Sequence, residues 1–372
     1  MKKSKIIPLA GMALAVCSLA TVPQQSLAIT NDIVAQEDSL ASRWGDFFGQ
    51  YGEIGVIRSI TINGVENPLF CEFLDPVSAL TNFKKLEKAS IDDISLKYGL
   101  SELSSENWEE YQAAAYESDS RVLVDFFDIY ENTKKNDEAE KFANSMTSTY
   151  ALDSDSEETQ LEQLSFMLPY FSPLAEEYNS STNAGSGIST HATLPNVSAA
   201  VSYAERYAWN ANTAQYKDFG GTDCTNFVSQ ILVAGGVSQD SYANENYGWW
   251  HRIVNGKHEH SISWIRSDTF ARYMGVGYKT NRMMNFSMNI QVGDAIALDN
   301  NSDGDWDHMG FVTYKNNYAG SYQLDNMIMT YNDFVIAQHS SNYNRWVSED
   351  GNSWDRYDWT FGGTGTYGRV RR

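Results

Sequence analysis

The chain has 372 residues and a formal net charge of −21 at pH 7. That length accommodates two ordinary domains, and a field this negative repels nucleic acid and anionic membrane surfaces, so neither is expected as a partner. Three cysteines are too few for the disulfide framework of a small exported scaffold.

Lys2, Lys3 and Lys5 precede an apolar run from Ile6 to Ala20, and Ser26-Leu27-Ala28 supplies a small-x-small site. That order predicts a secretory signal peptide over residues 1–28 and a mature chain beginning at Ile29. The run is short for a bilayer, and no later stretch reaches the about 20 apolar residues a spanning helix needs, so no membrane span is expected. Val16 stands where a lipidated Cys17 would need a small neighbour, which favours simple cleavage. The expected location is secreted or cell-wall associated, with Cys71 and Cys224 the thiols of the mature chain.

Residues 29–178 read as an N-terminal domain of mixed α/β content. Gly55 to Ile62 is apolar and β-branched and meets Asn63-Gly64, a hairpin turn signal. Helices are predicted over Asn107–Tyr116, Val122–Tyr130 and Glu157–Leu168 from their apolar spacing. No repeat and no catalytic cluster stands out here. Residues 179–195, rich in Ser, Thr, Gly and Asn, have the composition of a linker. Eight of the ten tryptophans follow it, which supports a separate domain over 196–372.

That second domain opens with a predicted helix on Val197, Ala200, Val201, Ala204 and Ala208. The loop Gly220-Gly221-Thr222-Asp223 then leads into a helix that begins at Cys224, carries Phe227, Val228, Ile231 and Leu232 on one face, and ends at Gly235-Gly236. Strands are predicted over Ala295–Leu298, Met309–Tyr314, Met327–Tyr331 and Phe334–Ala337. Helices followed by strands argue an α+β domain with an antiparallel sheet. Cysteine attacks as the thiolate, and a helix N-terminus lowers its pKa with unsatisfied N–H groups and the positive end of the macrodipole. Position alone leaves Cys224 open to a structural reading, since free cysteine also packs as a small hydrophobe.

The string Asp223-Cys224-Thr225-Asn226-Phe227-Val228-Ser229-Gln230, followed by Ala234-Gly235-Gly236, resembles the bacterial putative amidase domain family, a relative of the NlpC-type and CHAP-type papain-like wall hydrolases. Tyr203-Ala204, Tyr207-Ala208, Gly293-Asp294 and Asp307-His308 before Gly310-Phe311-Val312-Thr313 match as well. The resemblance covers about Asn196 to Trp346. It implies a papain-like core with the Cys-bearing helix packed on an antiparallel sheet. It also implies a cysteine amidase or peptidase acting on peptidoglycan or another peptide substrate, through a Cys224 thioester. Acyl transfer to an amine, and a degenerate wall-binding or scaffolding module of the same fold, are the rival readings.

His308, at the start of a strand, stands where the related families hold their base. An imidazole both takes the thiol proton and protonates the leaving amine. The third residue, which orients such a histidine, is expected on the next strand: His339 first, Asn342 as the alternative. Tyr216 is a candidate oxyanion or substrate contact, and Asp223 is expected to cap the helix. His191 falls in the linker. His258-x-His260 lacks a further ligand at metal spacing.

No cofactor is required for this chemistry. Asp299-Asn300-Asn301-Ser302-Asp303-Gly304-Asp305-Trp306-Asp307 nevertheless has the oxygen spacing of the first half of an EF-hand loop. Asp299, Asn301, Asp303, Asp305 and Asp307 are therefore candidate ligands of a structural calcium, although Gly310 stands where the bidentate Glu belongs.

Overall fold

The computed structural model describes residues 49–118, 120–148, 154–178, 194–241, 244–324, 327–349, 352, 354 and 365–370. The leader, its cleavage site, His191 and residues 179–193 of the expected linker lie outside the described residues. None of the described helices is long and apolar enough to cross a membrane.

The N-terminal half is mainly helical. Strands β1 (Ile54–Gly55) and β4 (Glu72–Phe73) form one short ladder, and β2 (Ser59–Ile62) and β3 (Val65–Pro68) form the other. Asn63 and Gly64 both take positive φ, 50° and 81°, so the turn is the one the dipeptide predicted. Helices α1 (Pro76–Leu86), α2 (Lys88–Tyr98), α3 (Trp108–Ser118), α4 (Arg121–Ser148) and α5 (Ser154–Ser165) follow. Phe83 and Phe126 stack at 3.7 Å in a core shared with Tyr51, Phe73, Tyr111 and Leu123. Helix α4 runs far beyond the predicted Val122–Tyr130, because its buried face continues through the amides of Asn132 and Asn136 before Ala139 and Ala143. Asn136 accepts from Phe70 N at 2.9 Å and donates to Phe70 O at 3.0 Å.

The C-terminal half begins with α6 (Val197–Tyr207), whose N-cap Asn196 accepts from Ala199 N. Helix α7 (Cys224–Ala234) is buried from Cys224 to Leu232. A hairpin of β5 (His251–Val254) and β6 (Lys257–His260) precedes α8 (Ile262–Ile265) and α9 (Ser267–Met274). Then come β7 (Val276–Thr280), α10 (Met283–Asn289), β8 (Ala295–Asp299), β9 (His308–Leu324), β10 (Met327–Gln338), β11 (Tyr343–Trp346) and β12 (Thr366–Val370). Six of these strands make one antiparallel sheet in the order β11-β10-β9-β8-β12-β7. The fold is α+β, with α7 packed on the sheet through a core that includes Phe227, Ile231, Met309, Phe311 and Ala337.

The two strands predicted over Met327–Tyr331 and Phe334–Ala337 are a single strand. A register shift between Tyr331 and Asp333 interrupts the alternation that separated them.

The fully buried apolar clusters of the two halves are distinct, with Tyr170 of the N-terminal half packed against the α7 core and stacked on Trp306 at 5.2 Å. Phe83, Phe126 and Leu123 belong to one, Leu164 and Leu168 to a second, and the α7 and sheet residues to others. Polar contacts join the halves. Asn132 donates to Asp303 at 2.6 Å, Asn300 to Asp128 at 2.8 Å, and Arg272 to the carbonyls of Ser165 and Leu168 at 2.6 and 2.5 Å.

Candidate active site

The motif around Cys224 is specific because each of its polar side chains has a buried partner. Asn226 donates to Asp223 Oδ1 and accepts from the Trp264 indole N–H. Ser229 accepts from Trp249 Nε1 and donates to Trp264 O, while Gln230 accepts from the Tyr203 hydroxyl. A buried polar group without a partner costs about 1–3 kcal/mol, so these pairs fix how α7 seats in the domain. Asp223 occupies the N-cap position, yet its carboxylate makes no cap bond to α7. It accepts instead from Phe219 N at 2.9 Å and from His339 Nδ1 at 2.5 Å. The expected cap is thus replaced by a tie between loop and sheet, and the first-turn N–H groups beside Cys224 stay uncapped.

Cys224 and His308 meet. The first residue of α7 faces the first residue of β9, both nearly buried, at 6% and 4% exposure. Burial alone would raise the Cys224 thiol. The charge of the His308 imidazole and its hydrogen bond outweigh that, hydroxyls of Ser267 and Thr225 add to the effect, and the thiol falls to about 6. Ser267 was not singled out from the sequence. Its Oγ lies 3.5 Å from Sγ and 2.9 Å from Thr225 Oγ1, and it donates to Asp307 O at 3.1 Å, linking the Cys helix to the residue before His308. A serine opening a helix carries no sequence signal that separates it from an ordinary helix start.

The structure places Gln338, and not His339, beside His308. His308 Nε2 lies 2.9 Å from Gln338 Oε1, and His339 points away, with Nε2 2.9 Å from Tyr207 O and its ring stacked 3.8 Å from Phe227. Gln338 is the last residue of β10 and His339 the first of the turn that follows, and their side chains diverge. Asn342 is exposed in the turn after β10.

The hydrogen bonds also fix the imidazole tautomer. Trp354 Nε1, a donor only, gives to Gln338 Oε1 at 2.6 Å, and Gln338 Nε2 gives to Ser341 O at 3.1 Å. The Gln338 oxygen is therefore an acceptor toward His308, Nε2 of His308 carries the proton, and Nδ1 is the basic nitrogen left for the thiol. Gly310 makes room for this chain: a Cβ there would lie 2.8 Å from Ile336 Cγ2 and 2.9 Å from Trp354 Cζ2.

Tyr216 packs its ring against His251, 4.9 Å between centroids, and on Trp264 at 6.1 Å. His251 Nε2 and His258 Nδ1 are 3.0 Å apart on the β5–β6 hairpin and bond each other.

The oxygens of the Asp299–Asp307 loop, the expected calcium ligands, are engaged within the protein. They already serve the loop: Asp299 accepts from Asp303 N and Gly304 N, Asn301 from Asp303 N, Asp303 from Asp305 N, and Asp307 from Asn300 N. A positive charge reaches it from α4 instead. Lys135 Nζ pairs with Asp305, and Asp303 and Asp307 lie within its field. Among the described residues no group of three or more His, Cys, Asp or Glu side chains is arranged to hold a metal.

Residues 195–362, the stretch that holds Cys224 and His308, match the family model described as a putative amidase domain, so this part of the chain is similar to that family. Two Bacillus subtilis (strain 168) relatives match: uncharacterized protein YhbB, 33% identical over 119 residues, and uncharacterized protein YjcM, 29% identical over 161 residues. These alignments cover 31% and 40% of this chain and 36% and 35% of the relatives, about a third of each relative's length. No solved structure matches the chain.

Proposed function

We propose that the chain is an exported cysteine amidase, papain-like in its catalytic arrangement, that hydrolyses an amide bond in bacterial peptidoglycan. One observation carries the cysteine mechanism: a thiol lowered to about 6 beside an imidazole whose tautomer is set by Gln338 and Trp354. The His308 Nδ1 takes the thiol proton, and the Cys224 thiolate attacks the carbonyl carbon. The developing oxyanion is met by N–H groups of the uncapped first turn of α7. The C–N bond then breaks, with the proton on Nδ1 going to the amine as it leaves. Water, deprotonated by the same nitrogen, attacks the thioester carbonyl, and the thiolate departs. Residues 29–178 form a separate module in this reading, joined by the linker over 179–195.

The choice of peptidoglycan rests on the resemblance to wall hydrolases and on the leader-like N-terminus. Digestion of purified sacculi, with fragments identified by mass spectrometry, tests it. New amino termini from stem peptides, or L-alanine released from muramic acid, are the expected products. Sacculi left intact by a chain that cleaves simple peptide amides would overturn the substrate while keeping the chemistry.

A further inference from the structure

The N-terminal half does more than sit beside the catalytic pair. Helix α3 presses its backbone onto the Gly220–Thr222 turn that leads into Cys224. A Cβ on Gly221 would fall 2.0 Å from Ala113 O and 2.6 Å from Ala113 C, an approach only glycine allows. One turn further along α3, Tyr116 lays its ring over the His308 imidazole, 6.0 Å between centroids with planes 16° apart. Its hydroxyl donates to Asp128 on α4 at 2.8 Å and accepts from Asn300 at 3.2 Å, so the ring is held from both halves. The segment after α5 closes on the neighbouring loop, where Tyr170 N donates to Gly304 O at 2.9 Å.

A carbonyl must come within about 3–3.5 Å of the sulfur, along a defined direction, to be attacked. Cys224 is 6% exposed and His308 4%, which leaves no approach for a polymer. The contact that covers them is held by polar bonds, with Tyr170 stacked on Trp306 as an aromatic piece of it, and the fully buried apolar clusters on its two sides are separate. Interfaces of that composition within a chain are the ones that separate.

We infer that the N-terminal helical half is an autoinhibitory cover for the Cys224–His308 pair, and that substrate reaches the thiolate only after α3 leaves the Gly220–Thr222 turn and the His308 ring. The inference rests on the reading of Cys224 as nucleophile. It adds that the full chain is held in a closed state whose opening is the controlled step.

The test uses the full chain with Cys17→Ser and Cys71→Ser, so that Cys224 is its only thiol, and reads the rate of alkylation by iodoacetamide. Tyr116→Ala combined with Asn132→Ala removes the ring over His308 and a polar tie between the halves. The expected result is alkylation at least about tenfold faster than in the otherwise unchanged chain, one decade being the effect of weakening the closed state by about 1.4 kcal/mol. Equal rates, with α3 shown by hydrogen exchange to be released in the variant, would overturn the inference. A second measurement needs no variant at α3: pulse alkylation against urea concentration. Cys224 should become reactive in a transition that precedes loss of the tryptophan fluorescence, which comes mainly from the C-terminal half. Coincident transitions would show that nothing short of unfolding the catalytic half exposes the thiol, and the cover would be refuted. Turnover of the opened chain on sacculi is read separately. Fast alkylation without hydrolysis would sink the amidase reading and leave the cover standing.

Discussion

Each half of the molecule holds one free cysteine among its described residues, and the two show opposite chemistry. Cys71 stands just before β4 in the N-terminal half, its carbonyl accepting from Asn132 of α4, and burial and the nearby carboxylates of Asp303 and Glu72 push its thiol up to about 12. Cys224 is more buried still, yet its thiol falls to about 6 because an imidazole and two hydroxyls face it. Burial acts in the same direction on both. The difference comes from whether a base and hydrogen-bond donors were brought to the sulfur. The N-terminal half gives its buried polar groups to holding backbone and to binding the other half, whereas the C-terminal half gives several of them to one reactive atom.

The sharpest way to break this comparison is to remove each thiol in turn. Cys224→Ser is expected to lower turnover by about a thousandfold or more, the scale of losing a nucleophile that acts as a unit with its base. Cys71→Ser is expected to leave the rate within about twofold, since its thiol is no part of the unit that acts on the substrate. Steady-state hydrolysis of a defined peptide amide checks both. A Cys71 variant that lost rate while keeping its melting temperature would overturn the division of roles.

The next largest effects belong to the residues that hold His308. Gln338→Ala frees the ring, and a base displaced by about 1 Å loses roughly a hundredfold in rate. Trp354→Phe keeps the ring and removes only the N–H, so the loss is expected near tenfold or less, the worth of one hydrogen bond. Both should also raise the thiol pKa read from the pH dependence of alkylation, which a merely structural change would not do. His339→Ala is expected to act differently. It leaves the Asp223 carboxylate buried without its partner, a loss of about 3–5 kcal/mol, and should lower Tm by roughly 10 °C. If His339→Ala moved the pH profile and Gln338→Ala did not, the assignment of the third residue would be reversed.

How much of this was legible in the sequence follows from where the signal lies. The Cys224 helix, the His308 strand and the Asn63-Gly64 turn were readable because each is marked by local residue chemistry. The choice between Gln338 and His339 was not, because it depends on which face of β10 looks at β9, and the bulge between Val335 and Ile336 resets that count within the strand. Histidine also attracts a catalytic reading more readily than glutamine. Helix α4 was underestimated because Asn132 and Asn136 occupy its buried face and break the apolar period. The surroundings of the Asp299–Asp307 loop were not legible for another reason. Its spacing is that of a calcium loop, and the cation that answers it, Lys135, lies on α4, more than 160 residues earlier, where no local pattern connects them.

Two pH dependences sharpen the contrast between site and interface. The Cys224 thiol, lowered to about 6, is thiolate above that value, so alkylation of the opened chain should rise through about pH 6 and level off above it. Asp128, at the contact between the halves, is pushed by burial and by Glu131 up to about 7. An acid raised from its unfolded value of about 3.9 gives stability that is complete below about pH 4 and is lost as pH rises through about 7. The closed state should therefore loosen between about pH 4 and 7, and Asp128→Asn should flatten that slope. Melting curves at pH 5 and pH 8 for both chains measure it. A stability that climbs over this range with the native chain would contradict the placement of Asp128.

The smallest expected effect concerns calcium, and it again sets one half against the other. In the wild-type chain Lys135 supplies the positive charge that the acidic loop needs, and the loop oxygens are engaged by its own N–H groups. Calcium at about 5 mM, enough to fill a weak extracellular site, should shift Tm by less than about 1 °C, and chelator should leave turnover unchanged. Lys135→Ala changes the balance. Asp303, Asp305 and Asp307 then face one another without the ammonium, the chain loses stability, and a divalent cation has carboxylates to bind. Calcium should restore part of the lost Tm in that variant, and magnesium, with its smaller and stricter shell, should restore less. A wild-type chain that takes up calcium in isothermal titration and gains several degrees would mean that the ion displaces Lys135, and the N-terminal half would then not be the source of the charge that holds the loop beside His308.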